Sequence, residues 1–175
     1  MIGLAAAAVL AACTTPLIGP QPLPQGLNLG RVVTADEIKA WDVSIPPSGA
    51  GLPPGSGSAK QGAAVYAAKC EACHGANGAG KPADALVGGQ GTLASDNPVR
   101  TVGSYWPYAT TLFDYVRRAM PTNAPKSLTD SEVYAVSAYV LQLNGIIAQD
   151  AVLNAQTLPQ VKMPNRDGFI DYSGK

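Results

Sequence analysis

Two cysteines and the only histidine of this 175-residue chain fall within one short run, Cys70-Glu71-Ala72-Cys73-His74. The order C-x-x-C-H is the pattern of covalent haem c attachment. Thiols one helical turn apart add to the two vinyl groups along one porphyrin edge. The next side chain, an imidazole, is then carried beneath the ring to the iron. The cluster is compact because one cofactor needs all three groups at once. Two rival chemistries use a C-x-x-C pair. A thioredoxin-type redox pair follows a strand in a βαβ unit, and no such unit is legible here. A structural zinc needs four ligands, and the only further cysteine, Cys13, lies far away in the sequence.

Iron held by His74 needs a sixth ligand, and a second histidine does not exist. Apart from the initiator, the methionines are Met120 and Met163, each followed by proline. A lone methionine ordinarily packs in a core. Met120 is the favoured ligand because it ends one helical pattern and begins the loop PTNAPKSL, and methionine is a usual partner of histidine in cytochromes c. Met163, in LPQVKMPNRDGF beyond the last helical pattern, is the alternative.

Three helices are expected to position these groups. Ser58 with Gln61 forms a capping box, and the helix it opens runs into Cys70. Thr111 with Asp114 suggests a second start, continued by Leu112, Tyr115, Val116 and Ala119 and stopped at Pro121. Thr129 with Glu132 opens a third, which Asn144-Gly145 closes. No alternating strand pattern competes with this all-α reading. An irregular segment of about thirty residues between Gly75 and Tyr108 leaves a core too small to stand on side chains alone, so a large apolar group is expected to fill it.

Flanking segments read differently. Residues 1–13 read as a signal peptide by length, apolar from Ile2 to Ala12 and too short to span a bilayer. Leu10-Ala11-Ala12-Cys13 resembles a lipobox, which would make Cys13 a lipidation site. Residues 14–57 are an arm rich in Pro, Gly and Ser, with one capped helix expected from Ala35 to about Trp41. The haem domain is assigned to 58–145 and a wrapping tail to 146–175. Composition, 46% hydrophobic and 14% charged with 19 glycines and 15 prolines, is that of one globular domain with much irregular chain. Zero formal net charge and the lack of basic runs give no reason to expect a nucleic-acid partner.

With these motifs placed, residues 58–145 resemble a class I cytochrome c, in the helix entering CEACHG, the Met-Pro loop and the terminal helix TDSEVYAVSAYVLQLN. The stretches AWDVSIPPSGAGLPPGSGS, TVGSYWPYATTLFDYVRRAMPTNAP and LPQVKMPNRDGF are similar to the cytochrome subunits of bacterial sulfite dehydrogenases and the cytochrome partner of sulfane dehydrogenase. A single C-x-x-C-H fits the single-haem subunit better than the two-haem member. The resemblance implies a class I cytochrome c fold with extended arms and one covalent haem c. It also implies export to the periplasm, and a molybdenum-cofactor subunit that oxidises a sulfur oxyanion as electron donor. A downstream cytochrome c or oxidase would be the acceptor. Arg100, Trp106 and Tyr108, in and beside TVGSYWPYA, are candidate donors to the haem propionates. No nucleophile, base or open metal position is legible, so the chain reads as an electron carrier and not as an enzyme. An anchored or soluble shuttle to an oxidase is the alternative function, and a haem-based sensor or peroxidase would need an open iron site. Trp41 and Phe169 are large apolar anchors suited to an interface.

Overall fold

The computed structural model describes residues 30–170 and residue 172. The expected signal peptide and Cys13 lie outside these residues. Five helices follow one another as α1 (Ala35–Trp41), α2 (Ala59–Lys69), α3 (Glu71–His74), α4 (Ala109–Ala119) and α5 (Asp130–Leu143). Three of them start on a reciprocal cap. At α2 the Gln61 N–H donates to Ser58 Oγ at 3.3 Å and the Ser58 N–H donates to Gln61 Oε1 at 2.9 Å. The same exchange joins Thr129 to Glu132 at α5 and Thr34 to Glu37 at α1. Satisfying two orphan amides at once fixes where each helix begins. At α1 the Arg31 guanidinium pairs with Glu37, and that pair, with the Thr34 N–H, holds the Glu37 carboxyl down at about 2.

Helix α4 departs from expectation. It starts at Ala109, two residues before Thr111, and no side chain caps it. Asp114 does not serve a cap because it faces the arm: its carboxylate accepts the Ile45 N–H at 3.2 Å and an Arg118 N–H at 2.5 Å. Ile45 is itself buried, so this carboxylate satisfies an amide that water does not reach. The arm is held a second time where Tyr134 Oη donates to the Pro53 carbonyl at 2.9 Å.

A strand pair also forms where none was expected. Strand β1 (Ser56–Ser58) lies antiparallel to β2 (Val152–Asn154), with Gly57 opposite Leu153. The Gly-Ser run that reads as unstructured is a strand because its partner comes from beyond α5. Gly57 also lies so close to α5 that an added Cβ would sit 2.3 Å from the Ala135 nitrogen. The tail thereby ties to the N-terminal side of α2, and Leu153, Leu158 and Met163 join the core.

The core itself centres on α5 crossing α2 and α4. Gly62 marks the α2–α5 crossing, where a Cβ would fall 1.9 Å from the Ala135 carbonyl oxygen. Only a residue without a side chain allows the backbones that close. Rings fill the adjoining layers: Tyr66 tilts on Tyr139 at 5.4 Å between centroids, and Phe113 on Tyr134 at 4.4 Å. No helix among the described residues is long and apolar enough to cross a membrane.

Candidate haem site

Helix α2 ends at Lys69, and Cys70 breaks from it before the single turn α3 carries Cys73 and His74. The backbone reverses directly after, at Gly75 with φ +71°, where an added Cβ would lie 2.4 Å from the Gly80 carbonyl oxygen. Tyr66 braces this reversal from α2, its hydroxyl donating to the Gly75 carbonyl at 2.9 Å. Burial, reinforced by the Cys70 side chain, pushes the Tyr66 phenol up to about 12, so it remains a donor. Cys70 is half-buried and Cys73 exposed, and neither is in a disulfide. Burial pushes the Cys70 thiol up to about 11.

His74 Nδ1 lies 2.9 Å from the Asp84 carbonyl oxygen. A carbonyl only accepts, so Nδ1 carries the proton, which leaves Nε2 as the nitrogen to present a lone pair to a metal. This is how a carbonyl orients a metal-binding imidazole. The carbonyl is available because the loop folds back onto the motif, with the Ala83 N–H donating to the Cys73 carbonyl at 2.8 Å.

A cavity of about 530 Å³ opens against these groups. Cys70, Cys73 and His74 border it from α2–α3, and Met120, with Pro121 to Ala124, borders it from the end of α4. Leu86, Val102, Trp106, Leu112, Val116, Val136 and Val140 make up much of the remaining wall. The size lies in the range of about 300–1,000 Å³ usual for ligand and cofactor sites. A large, flat apolar group fits such walls. Two thiols and one imidazole on one side, with a thioether elsewhere on the wall, are the donor set of a covalently held, six-coordinate haem. Among the described residues no three His, Cys, Asp or Glu side chains gather into another metal cluster.

The other candidates separate. Arg100 and Trp106 border the cavity. Tyr108 does not: it precedes α4 as the capping position, and its ring lies 4.4 Å under the Arg166 guanidinium. The tail thus covers one face of the Tyr108 ring. Met163 is 3% exposed within the apolar core and is absent from the cavity wall.

Several residues that matter to the walls were not singled out from the sequence. Asn144 Nδ2 donates to the Leu86 carbonyl at 3.1 Å and to Val140 at 2.9 Å, while its Oδ1 accepts the Gly88 N–H at 3.0 Å. Thr101 Oγ1 donates to the Gly88 carbonyl at 2.6 Å, and Ser104 Oγ to the Val99 carbonyl at 2.6 Å. From the sequence Asn144 reads only as a helix end. Its side chain instead stitches the long loop to α5.

Comparison with known proteins agrees with this geometry. Residues 59–144 match the cytochrome c family model. A chain of the crystal structure of the sulfane dehydrogenase SoxCD from Paracoccus pantotrophus superposes with a TM-score of 0.76 and 42% identity, over 85% of this chain and 73% of that one. The thiosulfate dehydrogenase of Allochromatium vinosum is 28% identical in a 129-residue alignment that covers 68% of this chain. Only 40% of that relative is spanned. The motif, the cavity and these matches together place the chain in the cytochrome c family, as a class I c-type cytochrome.

Proposed function

We propose that this cytochrome is the electron-accepting subunit of a sulfur-oxidising molybdenum dehydrogenase, carrying one haem c. The observation that carries the reading is a single cavity bordered both by Cys70, Cys73 and His74 and by Met120. Cys70 and Cys73 would hold the haem covalently, and His74 and Met120 would be its axial ligands. Bound in this way, haem c supplies a one-electron couple, which histidine and methionine ligation bias toward the ferrous state. The chain's own part is to keep His74 in one tautomer through the Asp84 carbonyl and to exclude water with the apolar walls. It also presents the attachment edge, where Cys73 is exposed, to a donor.

The similarity to SoxCD and to a thiosulfate dehydrogenase supports the class of partner. The arm supports a stable complex, since Val32, Val33, Ile38, Trp41 and Val43 are exposed on it, Trp41 by 86%. Apolar anchors of this kind bury at interfaces. Zero net charge argues against purely electrostatic, fleeting docking. Export to the periplasm belongs to the same proposal, as does membrane attachment through a lipidated Cys13; mass spectrometry of the native N-terminus tests the anchor. For the function itself, the ferric protein is mixed with the sulfur-oxidising dehydrogenase of the same cell and its substrate. Absorbance should report reduction within about milliseconds to seconds, the range of ordinary turnover. No reduction by any such enzyme, alongside rapid exchange with a terminal oxidase, would establish the shuttle instead.

A further inference from the structure

The segment that follows Met163 returns to the cavity region by a route the haem motif does not use. Met163 is buried and anchors it. Beyond that anchor, the Arg166 N–H donates to the Met163 carbonyl at 3.1 Å and the Gly168 N–H to the Asn165 carbonyl at 3.2 Å, so the tail turns on itself. Gly168 packs against the Asn165 amide in this turn, and an added Cβ would fall 1.8 Å from Asn165 Oδ1 and displace that side chain. The turn grips the loop before α4 at three points. Asn165 Nδ2 donates to the Tyr105 carbonyl at 2.7 Å, the Arg166 guanidinium covers the Tyr108 ring at 4.4 Å, and Phe169 meets Tyr105 edge-on at 5.3 Å. On Tyr105 itself rests the guanidinium of Arg100, 5.6 Å from the ring centroid.

Arg100 borders the cavity, and among the described residues it enters no ion pair. An exposed arginine side chain samples many rotamers, and a cation that wanders into water is screened. The Tyr105 ring is a protein contact that restrains this charge at the wall, and the tail is what fixes the ring.

We infer that the tail from Asn165 to Phe169 is a positioning element for Arg100, acting through Tyr105 to raise the midpoint potential of the haem. The inference rests on the haem reading above and is independent of the dehydrogenase partner. A cation held near the cofactor disfavours the more positive, oxidised state. Releasing it lowers the potential.

The experiment is equilibrium redox titration of the purified holocytochrome, followed optically at fixed pH and salt, with no partner present. Arg100→Gln should weaken reduction by threefold to tenfold in equilibrium constant, tenfold being about 59 mV for one electron. Phe169→Ala should shift the potential in the same direction by a smaller amount. Phe169→Tyr should restore the wild-type value, and Phe169→Ala added to Arg100→Gln should cause no further shift, since both act through one charge. Phe169 is 51% exposed, so its truncation leaves the fold intact, which a denaturation curve verifies. A wild-type potential in Phe169→Ala or Arg100→Gln, or additive shifts in the double variant, would overturn the inference. Failure of the dehydrogenase to reduce the wild-type protein would leave it standing. A wild-type chain that takes up no haem overturns both readings, and its absorbance reveals this before any variant is made.

Discussion

Replacing Met120 and Met163 by alanine, one at a time, separates an iron ligand from a core methionine because the two side chains sit in different surroundings. Met163 is 3% exposed and packs with the apolar core, where truncation of a buried methionine costs about 2–5 kcal/mol. For a chain of this size each kcal/mol moves the thermal midpoint by about 2–4 °C, so Met163→Ala should melt about 4–20 °C lower. The weak near-infrared absorption of ferric methionine-ligated haem should persist in it at native temperatures. Met120 borders the cavity and is only partly buried. Met120→Ala should abolish that absorption. Both variants are purified as holoprotein and read by near-infrared absorption and by calorimetric or optical melting. Loss of the band in Met163→Ala with its retention in Met120→Ala would refute the assignment and move the ligand to the tail.

Two further outcomes follow from packing and charge. Gly62→Ala places a Cβ 1.9 Å from the Ala135 carbonyl oxygen, so α2 and α5 must separate. Overpacking of this kind costs about 1–3 kcal/mol and should appear as a lower denaturant midpoint with an unchanged slope. Glu132 is held below its ordinary 4.5 first by the Thr129 N–H and then by Lys69. Its ionised form is the one the native state prefers, so the stability it contributes is fully present above about 4.5 and is lost as pH falls through the lower folded value. Glu132→Gln should therefore lower the denaturant midpoint slightly at neutral pH and converge with the wild type in acid, below the lowered folded value, so that the acid limb flattens; an unaltered acid limb would exclude this role. The side chain is partly exposed, so solvent screening keeps the effect small.

The parts of this molecule written locally in the sequence were the parts legible in it. A capping box spans four residues, so the starts at Thr34, Ser58 and Thr129 could be read directly. Cys70, Cys73 and His74 declare their chemistry because a covalent cofactor demands that spacing. Thr111 with Asp114 looks the same on paper, yet Asp114 turns to the Ile45 amide, an obligation set by the folded arm. Gly57 reads as linker until β2 is laid beside it. In each misreading a distant segment supplies the partner, and no window of neighbouring residues contains it.

The same distinction bears on how the cavity keeps its shape. Its far wall is the long loop from Gly75 to Tyr108, which contains little regular structure and must satisfy its backbone by other means. Asn144 meets the demand at Leu86 and Gly88, and Gln90 Nε2 donates to the Asn144 carbonyl at 2.8 Å. Thr101 and Ser104 meet it at Gly88 and Val99. Gly103 lies against the same amide, where a Cβ would fall 1.9 Å from Asn144 Oδ1. The loop is thus hydrogen-bonded to the end of α5, and α5 is the helix on which α2 and α4 both pack. Because His74 follows α2 and Met120 follows α4, one helix sets the spacing of the two candidate ligands, and the Asn144 amide fits the loop to that same frame.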